Sequence, residues 1–127
     1  MIDLKIVLAI ILIHWFADFV LQTDKQARGK SKNWNDLLSH TGTYSVIWLI
    51  PIILLFPKDW TTSQYVLTSL LFGGITFITH TITDYFTSRL NSKLWSEGKV
   101  HYFFVSVGFD QVLHYTQLFL TYYLLTR

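Results

Sequence analysis

Cysteine is absent from this 127-residue chain. Its absence excludes disulfides, thiolate metal sites and a cysteine nucleophile. The compartment stays open, because a reducing cytoplasm and a bilayer both tolerate a chain without thiols. Charge is scarce as well. Asp, Glu, Lys and Arg together make up 14%, against about a quarter in a soluble domain. A net charge of +2 is too small to argue for a nucleic-acid partner. Hydrophobic residues fill the space at 51%, aromatic residues reach 17%, and mean hydropathy is +0.36. The length suits one domain, 1–127, and the composition is that of a membrane protein.

Four apolar segments approach the roughly 20 residues that a helical span needs. They run over about 2–21, 37–56, 64–85 and 102–125. The first lacks a strongly basic leader and a small-residue cleavage site, and it carries His and Asp, so it reads as a retained helix rather than a signal peptide. The expected fold is all-α: an integral membrane four-helix bundle of two parallel hairpins, with both termini on one side. Two long polar connections, 22–36 and 86–101, hold Lys25, Arg28, Lys30, Lys32, Arg89, Lys93 and Lys99, seven of the ten Lys and Arg residues. The positive-inside rule puts these connections in the cytoplasm and the termini outside. Lys25, Arg28, Lys30 and Lys32 read as topology determinants that also touch anionic lipid. Trp15, Trp34, Trp48, Trp60 and Trp95 read as interfacial anchors, Gly73-Gly74 as a close helix contact, and Pro51 as a kink.

Polar residues inside these spans are few and patterned. His14 and Asp18, His80 and Asp84, and Asp110 and His114 each stand four residues apart, so each pair shares one helix face. His40 opens the second span. In the topology above all seven fall in the cytoplasmic leaflet. The two halves also echo each other, H-x-x-x-D-F followed by a basic connection and H-x-x-x-D-Y followed by another, as in a parallel repeat.

An Asp at a helix centre costs roughly 2.5–3.5 kcal/mol on insertion scales. Three of them rival much of the stability of a small domain, about 5–15 kcal/mol. Three arrangements offset that cost: interhelical polar contacts, a proton or ion path, or a metal centre. Mixed imidazole and carboxylate ligands favour Zn first, with Mn or Fe as alternatives, over Mg or Ca. Seven candidate ligands, His14, Asp18, His40, His80, Asp84, Asp110 and His114, suit one ion with supporting carboxylates, or two ions. Gln22, Gln111, Gln117, Tyr44, Thr87, Ser88 and Arg89 surround them in the sequence. Arg89 with Ser88 and Thr87 suits an anion, and Arg89 also suits simple snorkelling.

The stretches "HWFADFVLQTDKQARGK", "HTITDYFTSRL" and "HYFFVSVGFDQVLHYTQL" resemble signature stretches of the DUF3307 family of small phage and bacterial membrane proteins. That likeness covers nearly the whole chain. It implies an integral membrane protein of the bacterial plasma membrane and supplies no activity. The His/Asp-bearing helices are also similar in style to membrane-bound metal-dependent hydrolases.

The leading expectation is a membrane-embedded metal-dependent hydrolase acting from the cytoplasmic side on a lipid-linked or phosphorylated substrate. Asp110 is its candidate general base, and Arg89, Ser88, Thr87, Gln22 and Gln111 its candidate substrate contacts. A proton or metal-ion transporter, or a non-catalytic membrane accessory protein, would use the same residues differently. The expected partners are the bilayer and an anionic substrate, with no nucleic acid. Four spans in a short chain are also compatible with a homodimer.

Overall fold

A computed structural model describes residues 3–127. Its described residues are entirely helical and loop, with no strand. Helix α1, Leu4–Trp15, starts at Asp3, whose carboxylate accepts from the Lys5 backbone N–H at 2.8 Å. It continues into a π turn, Phe16–Val20, where the Leu21 N–H donates to the Phe16 carbonyl five residues back at 3.0 Å. This wider turn carries both Ala17 and Asp18 into the interior.

The connection expected over 22–36 holds a short helix, α2, Asp24–Gly29, opened by a capping box between Thr23 and Gln26. Asn33 then caps α3, Trp34–Trp48. The segment expected as one helix over 37–56 changes form at Pro51. Proline has no N–H and its ring clashes with the carbonyl four residues back, so α3 stops and a 3₁₀ turn, Pro51–Leu55, follows. The Ser69 hydroxyl donates to the Leu49 carbonyl at 2.5 Å, meeting an acceptor this change frees.

A second capping box, Thr61 with Gln64, starts α4, Thr62–Ser96. Its 35 residues span about 52 Å, well beyond the roughly 30 Å of a bilayer's hydrocarbon. The expected polar loop over 86–101 is therefore corrected: α4 runs on to Ser96. Falling hydropathy marks where a chain leaves apolar surroundings. No Gly or Pro lies between residue 85 and Gly98, so the sequence holds nothing there to interrupt the helix. Gly98 takes φ +69, the Gly98 N–H bonds the Trp95 carbonyl, and the Lys99 N–H bonds the Leu94 carbonyl. Helix α5, Val100–Thr126, returns immediately.

Helix α4 packs along both α3 and α5, and α1 with its π turn lies against α3 and α5. Gly73 brings α4 close to Leu49, whereas Gly74 faces open space. Two segments, Trp34–Leu55 and Thr62–Ser96, are long and apolar enough to cross a membrane. The interior has two zones. Toward the chain termini, Ile10, Trp48, Ile52, Phe56, Phe72 and Leu118 form an apolar cluster. Toward α2, the buried side chains are His and Asp.

Candidate metal centre

His14 and Asp18 come from α1 and its π turn, His40 from α3, His80 and Asp84 from α4, and Asp110 and His114 from α5. All seven meet in one region, and all but Asp110 are buried. Periodicity explains the convergence. Each i,i+4 pair lines one helix face, and packing turns that face inward.

Four of these side chains form a compact group. Asp18 Oδ1, His40 Nε2, His80 Nε2 and Asp84 Oδ2 lie within 4.8 Å of one another. His40 Nε2 is 3.0 Å from Asp18 Oδ1 and 3.3 Å from Asp84 Oδ2. His80 Nε2 is 3.5 Å from each of the same oxygens. The two imidazole nitrogens are 3.3 Å apart. A tetrahedron with metal–ligand bonds of about 2.0–2.1 Å has edges of about 3.3–3.4 Å. Five edges of the group are thus close to those of a zinc-sized site. Asp18 Oδ1, despite these neighbours, forms no aligned hydrogen bond. His80 is fixed by packing instead, its ring 4.0 Å from that of Tyr44 and 4.2 Å from that of His114.

Asp84 links this group to a second one. Its other oxygen, Oδ1, lies 3.1 Å from His114 Nε2, which is 3.3 Å from Asp110 Oδ1. Asp84, Asp110 and His114 also stand close enough to hold an ion. His14 belongs to neither group. Its Nε2–H donates to Gln111 Oε1 at 2.9 Å and its Nδ1 accepts from the Tyr44 hydroxyl at 2.6 Å. With both ring nitrogens engaged, it lies beside the donors, 3.6 Å from Asp18 Oδ2.

Lys30, at the end of α2, reaches into the same place, its Nζ donating to Asp84 Oδ2 at 2.8 Å. Burial pulls its pKa down, but the Asp84, Asp18 and Asp110 carboxylates outweigh that and hold it above the ordinary lysine range. Lys30 therefore stays charged, and its place is a correction to its reading as a lipid-facing topology residue alone. The signal for it in the sequence is an imbalance: three carboxylates at one depth with no cation among them. Three carboxylates and one ammonium leave negative charge in excess, which the imidazoles can offset by taking up protons or by holding a cation. A divalent cation offsets that excess directly.

Gly29 lets Lys30 arrive. A Cβ there would stand 1.8 Å from Asp36 Oδ2, and Asn33 Nδ2 holds that oxygen at 2.8 Å. Gly29→Ala is expected to cost about 1–3 kcal/mol through this overlap. Thermal denaturation in detergent checks it, and a variant as stable as wild type would contradict the packing described.

The candidate substrate contacts divide. A cavity of about 610 Å³ adjoins the group, walled by Asp18, Gln22, Lys30, Ser88, Asp110 and Gln111 on its polar side and by Phe19, Trp95, Phe103, Phe104 and Val107 on its apolar side. Gln22, Ser88 and Gln111 thus reach the cavity. Thr87 does not line it; its Oγ1 donates to Asp110 Oδ1 at 2.6 Å. Arg89 is also off the cavity wall. Its guanidinium lies 3.8 Å from the Tyr85 ring centroid and donates to the Tyr85 carbonyl. Asn91 and Trp95, on the helical extension of α4, line the cavity and were hidden by reading that extension as loop.

Fold and site together define a class: an all-helical chain with a buried His/Asp/Lys group able to hold a metal ion. The chain belongs to the DUF3307 family, whose model, described as a protein of unknown function, matches residues 6–127. Neither the curated proteins nor the solved structures contain a match to it.

Proposed function

We propose that this chain is a membrane-embedded, metal-dependent hydrolase with its site one leaflet deep. The observation that carries this reading is the compact four-donor set of Asp18, His40, His80 and Asp84 beside a cavity large enough for a substrate. A four-helix bundle in the bilayer is supported by the outer surface. Leu4, Leu8 and Leu12 on α1, Val46 and Ile50 around the end of α3, Leu67, Leu70 and Ile78 on α4, and Val105, Phe109 and Val112 on α5 are all exposed. Apolar residues outside and titratable residues inside suit lipid rather than water. The bias of Lys and Arg toward the connections beside the cavity supports a cytoplasmic opening.

Zn is the first choice of ion, ahead of Mn or Fe, because the donors are two imidazoles and two carboxylates. A divalent cation held there supplies Lewis acidity toward a phosphoryl or acyl oxygen and toward a water. Asp110 lies at the cavity wall outside the four-donor group, steadied by Thr87 at 2.6 Å and by Gln111 Nε2 at 3.2 Å. That position suits a general base. Lys30 keeps two N–H donors beyond the one it gives Asp84, and these face an anionic substrate. Ser88 and Gln22 add neutral contacts. Beyond the group, the cluster around Trp48 and Phe72 holds no His, Asp, Glu, Lys or Arg among the described residues, which favours a one-sided site over an ion path.

Asp110→Asn tests the assignment. Turnover of ester or phosphate-ester lipids in detergent is expected to fall by about 10²–10⁴, with the ion of the four-donor group kept. Full activity in that variant, or no hydrolysis of any such ester by metal-loaded wild type, would contradict it.

A further inference from the structure

The cavity wall carries polar atoms without partners. Gln22 Oε1, Ser88 Oγ and Asn91 Oδ1 all line it, are all shielded from solvent, and form no hydrogen bond within the chain. Ser88 is 93% buried as a residue, from its 7% exposure. Such groups cost free energy unless a partner arrives. Two are amides, whose oxygen and nitrogen can exchange places by a flip. Either orientation leaves a group that a ligand hydroxyl can satisfy, because a hydroxyl both donates and accepts. Lys30 adds one positive charge on the same wall. The same cavity is lined by the aromatic rings of Trp95 and Phe103, 5.0 Å apart at their centroids, and by Phe104, which is largely exposed. Trp95 and Phe104 are both exposed, so the apolar lining of the cavity runs out onto the protein surface.

We propose that this cavity receives the head of a phosphate ester that bears free hydroxyls and an apolar chain. Lys30 meets the phosphate; Gln22, Ser88 and Asn91 meet the hydroxyls; the chain leaves past Trp95 and Phe104. The proposal rests on the hydrolase reading for the location of the site and adds the substrate class. A phosphate lipid with a polyol head has all three parts. A simple alkyl phosphate lacks the hydroxyls, and a soluble polyol phosphate lacks the chain.

Three probes separate these parts: dodecyl phosphoglycerol, dodecyl phosphate and glycerol 3-phosphate. Binding to metal-loaded protein in nonionic detergent is measured with each. Dodecyl phosphoglycerol is expected to bind about ten-fold or more tighter than either of the others, the scale of one or two satisfied buried hydrogen bonds. Ser88→Ala and Asn91→Leu should each shrink the preference over dodecyl phosphate while leaving metal content unchanged. Equal binding of the two dodecyl compounds would overturn the hydroxyl contacts. Equal binding of glycerol 3-phosphate would overturn the chain path. A preference untouched in both variants would overturn the assignment to this cavity. Metal content, read on the same samples, reports separately on the hydrolase reading: metal-free protein fails that reading, whereas metal-loaded protein without the preference fails only this one.

Discussion

Asp84→Asn is expected to strip the protein of its metal and to destabilise it by about 3–5 kcal/mol, the scale of a broken buried ion pair. The substitution keeps shape and removes charge. Asp84 Oδ2 lies 2.8 Å from Lys30 Nζ and 3.3 Å from His40 Nε2, and its Oδ1 lies 3.1 Å from His114 Nε2. Losing the carboxylate takes from the part-buried Lys30 ammonium the oxygen it donates to, and it removes the one side chain shared by both candidate ion groups. The double variant Asp84→Asn/Lys30→Met separates the two losses. It should recover little of the stability, because Asp18 and Asp110 then lose the ammonium as well, and it should stay metal-free. Size-exclusion profiles after heating, with metal analysis of the same samples, check both. Metal retained in the single variant would contradict the site, and a double variant restored to wild-type stability would contradict the charge argument.

Removing the ion from the wild-type chain is the second large perturbation. Three carboxylates would then share one ammonium and the neighbouring imidazoles, with the Asp18 oxygen still lacking an aligned hydrogen-bond donor. Like charges at 3–5 Å in a poorly solvated setting cost several kcal/mol. The thermal midpoint of chelated protein is expected to drop by about 10 °C or more and to return on adding stoichiometric Zn. A fully demetallated sample with an unchanged midpoint would show that the cluster is a self-satisfied polar contact.

Much of the site was legible in the sequence because periodicity carries it. The pairs His14/Asp18, His80/Asp84 and Asp110/His114 needed only the helical repeat to be placed on inward faces, and His40 followed from its depth. Ranking the seven was not legible. Nothing in the spacing says that His14 spends both nitrogens on Gln111 and Tyr44, because those partners come from other helices. Lys30 was missed because it reaches the cluster from a six-residue helix inside a connection, and only the tertiary path of that connection shows it. The helical content was legible in type but not in extent. Hydropathy ended the third segment near residue 85, while the backbone continued to Ser96 for want of a breaker. That extension supplies Ser88, Asn91 and Trp95 to the cavity. Arg89 looked equally placed for an anion, but one helical step turns it onto Tyr85 instead.

Elemental analysis of detergent-purified protein, wild type beside His40→Ala, tests the central claim most directly. One or two equivalents of a divalent transition metal per chain are predicted for the wild type, with loss of the four-donor ion in the variant. Wild-type protein that elutes as a folded species and carries no metal, even after incubation with Zn, would contradict it.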